Sequence, residues 1–234
     1  GAKVLLKRAS QLGFDERLEM IRLLGRAAHL LTKKEYAEEL IDAMQRLSVA
    51  YRSAGLLWAA RASFAFALAA IAIEAHEEGS PRPQIIPTLK FYAWVALQLR
   101  HLPDFIKAMQ LLNGIRRGMV LSNEQRAHLE RSVTELDMAM ASQLVNLNDA
   151  ELQRVADLPD ILGAVDLLHS RTALLYALGY EDALRADGWI PESETPDGTR
   201  EHFTLLASQP VSDRIWGPLI LNEASAQRFA TAIL

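Results

Sequence analysis

The sequence predicts an all-α protein. Its main body, residues 1–187, reads as an α-solenoid of antiparallel helix pairs, and residues 188–234 as a loop-rich appendage or the start of a following domain. Three observations lead there. Apolar residues recur at i, i+3 and i+4 as far as about Asp187. Capping boxes and Gly or Pro breaks cut that rhythm into successive short helices. After Gly188 the texture changes, with Pro191, Pro196, Pro210 and Pro218 interspersed with Gly198 and Gly217.

The elements follow in order. Phe14 to Leu31 carries Leu18, Ile21, Leu24, Ala28 and Leu31 on one helical face. Thr32, with Glu35 three residues on, reads as a capping box opening a helix that carries Tyr36, Leu40, Ala43, Leu47, Ala50 and Tyr51 and ends near Gly55. Leu56 to Glu78 is apolar all round. Its charge-free centre, Ala62 to Ile73, is too short to span a bilayer and is largely alanine, so a fully buried helix is expected. Gly79-Ser80-Pro81-Arg82-Pro83 closes it. Pro87 suits the first turn of the next helix, which runs to about Leu102. Pro103-Asp104 opens another, ending in Arg116 and Arg117, where basic residues suit the negative end of the helix dipole. Ser122 with Gln125, and Asn148 with Glu151, cap two more helices, the second broken near Pro159. In the tail, Leu219 to Leu221 reads as a short strand and Asn222 to Leu234 as a helix.

Composition narrows the function. Half of the 234 residues are apolar (50%) and 23% are charged, so the chain can build a core. The absence of cysteine excludes disulfide frameworks, cysteine-ligated zinc, iron–sulfur clusters and a thiol nucleophile. With no signal peptide visible, a cytoplasmic location is expected. The Gly-Ala start and the apolar end at Ile233-Leu234 read as a segment of a longer protein. A net charge of -4 argues against non-specific nucleic-acid binding. That charge is uneven. Residues 1–121 carry 17 Lys and Arg against 11 Asp and Glu, and residues 122–234 carry 8 against 18. Surface composition alone accounts for this, though a basic first half also suits an acidic partner.

One stretch carries a more specific signal. Leu47, Tyr51, Gly55, Ala60, Phe64 and Ala67 place a large apolar residue, an aromatic, a turn glycine, a small residue at a helix crossing, a second aromatic and a second small residue at set spacings. This resembles the tetratricopeptide repeat (TPR). Ser48 replaces the family's small glycine and no proline closes the repeat. Weaker matches lie at Leu24-Gly25, at Trp94 to Leu112 and at Gly179-Tyr180. Aligning Ala60 with Ala108 gives a spacing of 48 residues, longer than the family's roughly 34. The chain is therefore TPR-like.

The resemblance implies a protein-interaction or scaffold module whose concave groove receives an extended peptide or a partner helix. Carried over residue by residue, the groove presents Asp42, Gln45, Val49 and Arg52 from one helix, and Lys90, Ala93, Leu97, Arg100 and His101 from another. Gln45, Arg52, Lys90, Arg100 and His101 are the candidate partner-binding residues. Gln45 and Val49 stand where the family's carboxylate clamp has Lys and Asn, so that clamp is not expected. A protein or peptide partner is expected, with no nucleic acid, membrane or cofactor. A second copy of the chain, meeting through the Ala- and Phe-rich helix 56–78, is an alternative partner. The six histidines show no metal-ligand spacing, the adjacent acid pairs diverge on a helix, and no phosphate loop or nucleophile elbow is present, so no catalytic residue is expected. Two other readings stay open. One is a regulatory sensor region. The other is an enzyme with Asp197, Glu201, His202 or Asp213 between solenoid and appendage. Trp189 and Trp216 would anchor the tail.

Overall fold

The computed structural model describes residues 1–79 and 82–186. These are helical, with no strand among them. The 188–234 appendage lies outside the described residues, and with it the expected strand, the last helix, Trp189, Trp216 and the acids and histidine of the enzyme reading.

The described residues form two compact units that divide between Ala108 and Met109. The first holds α1 (Ala2–Ala9), α2 (Arg17–Leu30), α3 (Ala37–Ser53), α4 (Leu57–Glu78), α5 (Ile85–Gln98) and the start of α6 (Leu102–Gly118). Neighbours in sequence pack: α1 on α2, α2 on α3, α3 on α4, α4 on α5. Ala9, Leu23, Leu24, Leu47 and Ala50 form one core cluster, and Ala28, Leu31 and Ala43 another. The second unit holds the rest of α6, then α7 (Asn123–Leu144), α8 (Asp149–Arg154), α9 (Leu158–Ala164), α10 (Leu168–Ala177) and α11 (Glu181–Ala186), with α10 packed on α7, α9 and α11.

One device joins helices repeatedly. At Gly55, Arg100, Asp166 and Gly179 the backbone enters the left-handed region, with φ of 77°, 52°, 57° and 77°. Each time the following residue's N–H donates to the carbonyl five residues back: Leu56 to Tyr51, His101 to Ala96, Leu167 to Leu162, Tyr180 to Leu175. The left-handed residue itself donates to the carbonyl three back, which completes a Schellman turn. The residue after it then offers its own carbonyl to the next helix: Leu56 to Ala60, His101 to Phe105, Leu167 to Arg171, Tyr180 to Leu184. One residue thus ends one helix and starts the next. In the first unit this sets a spacing of 45 residues, from Gly55 to Arg100, not the 48 of the sequence alignment.

The residues of the repeat signal pack as their types require. Leu47, Ala60, Phe64 and Ala67 are buried, Tyr51 is half-buried, and Gly55 makes the turn. Ser48 is buried because its hydroxyl donates to the Met44 carbonyl at 2.6 Å. Both later capping boxes form, Ser122 with Gln125 and Asn148 with Glu151. At Thr32 the expectation needs correction. Its hydroxyl turns back to the His29 carbonyl, a 3-10 turn over Lys34–Tyr36 intervenes, and α3 begins at Ala37.

The expectation of a fully buried 56–78 helix also needs correction. Leu57, Ala60, Ser63, Phe64, Ala67 and Ile71 are buried, but the opposite face of α4 is exposed. Among the described residues α4 has the length and mean hydropathy of a membrane span, 22 residues and 1.5. Its inner face packs on α3 and α5.

Candidate functional site

The first unit contains a cavity of about 540 Å³, within the size range of ligand and peptide sites. Its walls come from four places: the end of α1 (Ala9, Ser10), α2 (Arg17, Met20, Leu24), α3 (Asp42, Gln45, Arg46, Val49, Ala50, Ser53) and α5 (Pro87, Thr88, Phe91), with Phe64 of α4 behind. Helical spacing accounts for the α3 wall. Residues 42, 45, 46, 49, 50 and 53 recur at three and four, so they share one face.

The apolar part of the wall is Met20, Leu24, Val49, Phe64, Pro87 and Phe91. The polar part is hydrogen-bonded. Arg17 Nη1 donates to the Ser53 carbonyl at 2.6 Å, holding the start of α2 to the end of α3. Gln45 Nε2 donates to Thr88 Oγ1 at 2.6 Å, and that hydroxyl donates to the Gln84 carbonyl at 2.8 Å. Arg46 Nε donates to Asp42 Oδ1 at 3.0 Å. The cavity is therefore an apolar slot with oriented polar groups at its edge.

The structure separates the residues expected in one groove. Asp42, Gln45 and Val49 do line the cavity. Arg52 lies beyond it, its Nε donating to Gln98 Oε1 at 2.9 Å, which ties α3 to α5. Burial draws its guanidinium below the ordinary arginine value. Lys90 is half-buried on α5 and is not part of the cavity wall. Ala93 and Leu97 do not face a groove at all; both are buried in the core, because α5 is enclosed nearly all round. Arg100 is exposed and occupies the left-handed turn position after α5.

His101 belongs to a different cluster. It lies edge-on to Trp58, with ring centroids 6.0 Å apart, and its Nδ1 is 3.1 Å from Asp104 Oδ2 without an aligned hydrogen bond. Arg61 of α4 donates to the same carboxylate and lies over the Trp58 ring, 5.6 Å from its centroid. Burial pushes the Asp104 carboxyl up, but hydrogen bonds from Arg61 and Tyr92 outweigh it and hold it below the usual range. Burial, and then the bond to Asp104, raise the Tyr92 phenol. This cluster ties α4, α5 and α6.

In the second unit, sequence reasoning missed Asp137. This buried carboxylate of α7 accepts the His169 N–H at 3.0 Å and the Ser170 N–H at 2.8 Å. It also accepts the Ser170 hydroxyl at 2.6 Å and meets His169 Nδ1 at 3.0 Å. It therefore caps the N-terminus of α10 from another helix, a task that Leu167 cannot perform. The Asp137 bond is the main reason that the His169 imidazole titrates above its ordinary value. Arg116 and Arg117 both bond Asp166, which fixes the left-handed turn residue. Among the described residues no group of three or more His, Asp or Glu converges as a metal site.

Comparison with known proteins finds no matching family model, curated protein or solved structure.

Proposed function

We propose that the chain is a TPR-like helical-repeat module that binds a segment of a protein partner in the cavity of its first unit and performs no chemistry there. The observation that carries this is the 540 Å³ cavity walled by α2, α3 and α5, with Asp42, Gln45 and Val49 on its α3 wall. Three of the four α3 positions that the repeat resemblance assigns to a groove thus lie on one cavity. The recurring Schellman turn at Gly55, Arg100, Asp166 and Gly179 supports the helical-repeat reading, since one local solution is reused between successive helices. Apolar side chains of the partner would enter against Met20, Val49 and Phe91, and the basic balance of the first half favours acidic flanks. The work would be cytoplasmic.

Selection from a display library of random peptides, each of about a dozen residues, tests this. The wild type is expected to enrich peptides with two or more large apolar residues, and Val49→Arg, which fills the cavity, to lose them by at least tenfold in affinity. Equal binding to both proteins would overturn the assignment.

A further inference from the structure

The face of α4 that points away from α3 and α5 is apolar and uncovered. Trp58 is 60% exposed, Phe66 49% and Ile73 59%, and the alanines at 62, 65, 69 and 72 are exposed between them. Ala62, Phe66, Ala69 and Ile73 follow one another at steps of four, three and four, which puts them on a single seam. Large and small side chains alternate along it.

We propose that a second copy of this chain covers this face, as an antiparallel two-fold pair of α4 helices. With the axis between residues 67 and 68, Phe66 of each copy meets Ala69 of the other, and Ala62 meets Ile73. Phe66 and Ile73 then each face an alanine, and Trp58, four residues before Ala62, lies opposite Glu77 near the edge of the pair. A parallel symmetric pair would set Phe66 on Phe66 and Ile73 on Ile73.

Charge selects the same direction. Glu74, Glu77 and Glu78 close the helix, and Arg82 pairs there with Glu74, Glu78 and Glu38. Arg61 lies near the other end. Antiparallel pairing brings the acidic end of each helix over the N-terminal end of the other, where Arg61 and the positive end of the dipole lie. Parallel pairing would set the two acidic ends side by side. Arg61 is already bonded to Asp104, so this is attraction between ends and not a new ion pair. The three large side chains and four alanines expose roughly 500 Å² in one copy, about 1,000 Å² in a pair, which meets the lower limit for a specific interface. The pair is therefore reversible, with a dissociation constant on the order of micromolar.

The absence of cysteine makes the register testable. Phe66→Cys and Ala69→Cys are prepared separately, then oxidised alone and as a mixture. Disulfides need Cβ atoms about 4 Å apart, so covalent dimer is expected to form several-fold faster in the mixture than in either variant alone. Fastest crosslinking in Phe66→Cys alone, or equal rates in all three, would overturn the register. By light scattering from about 1 to about 100 µM, a range that brackets a small interface, the wild-type mass is expected to rise from 26.0 kDa towards twice that value. Phe66→Glu, and independently Ala69→Asp, are expected to stay at the monomer mass with unchanged helix content. Val49→Arg is expected to dimerise normally, which separates this proposal from the cavity reading. A wild type that stays monomeric, or that stays monomeric but floats with phosphatidylcholine vesicles, would overturn it.

Discussion

Helices α4 and α5 pack against each other in the first unit, and both are rich in apolar residues, yet the fold places them in opposite settings. In α5, Ile86, Leu89, Tyr92, Ala93, Trp94, Val95, Ala96 and Leu97 are all buried, and so are Thr88 and Gln98. In α4 the buried residues keep to one face. The difference lies in side-chain size. The α5 sequence puts large residues at successive positions around the helix, and only full enclosure removes that area from water. The outward side of α4 is mostly alanine, which loses little by facing solvent, with Trp58, Phe66 and Ile73 set among it. Mean hydropathy therefore bounds how much of a helix is buried and does not say which helix is surrounded.

The comparison is sharpest where a charge is placed on each helix. Leu89 is 1% exposed. Leu89→Glu buries an unpartnered carboxylate and is expected to destabilise the first unit by more than about 4 kcal/mol, read as loss of cooperative thermal unfolding. The second unit extends the contrast to polar groups, because there a buried carboxylate does structural work. Asp137→Ala strips the α10 N-terminus of its acceptor and is expected to cost about 3 kcal/mol by urea denaturation.

The turns that flank these helices give smaller effects. Gly55 and Arg100 occupy the same left-handed position, one with glycine and one without. Gly55→Ala is expected to cost about 1 kcal/mol and Arg100→Gly to gain about as much, both by thermal melting. If Arg100 were a binding residue and not a turn residue, Arg100→Gly would change ligand affinity and leave stability alone.

The smallest effect concerns pH. Asp137 raises the folded-state pKa of His169 above its ordinary 6.5. That contribution is full below the unfolded value and fades as pH rises through the folded one. Because His169 is half exposed, it stays under about 1 kcal/mol. The stability difference between wild type and His169→Gln should accordingly be larger at pH 5.5 than at pH 8. A difference that grows with pH would contradict the assignment.

What could be read from the sequence was local. Ser122 with Gln125, and Asn148 with Glu151, reach each other within one helical turn, so their capping boxes were visible. Leu47, Ala60, Phe64 and Ala67 showed their packing role by size and spacing. Arg100 and Asp166 hid their turns because neither is glycine. Asp137 lies 32 residues from His169, so only the packing of α7 on α10 joins them. Most of the cavity was missed for a related reason. Asp42, Gln45 and Val49 follow from one helix's periodicity, whereas Arg17, Met20, Pro87 and Phe91 come from neighbours whose approach no spacing encodes. Ala93 and Leu97 failed as groove residues because they lie on the buried side of α5, away from the side at Pro87 and Phe91 that reaches the cavity.

The most direct test of the division between α4 and α5 is the thermal unfolding of Phe66→Glu beside Leu89→Glu, both at concentrations dilute enough to keep the chains monomeric. The account predicts that Phe66→Glu melts within about 0.5 kcal/mol of wild type, as an exposed surface site should, while Leu89→Glu is unfolded. Comparable losses in the two variants would show that the outer face of α4 is covered within the folded chain, and would contradict the account.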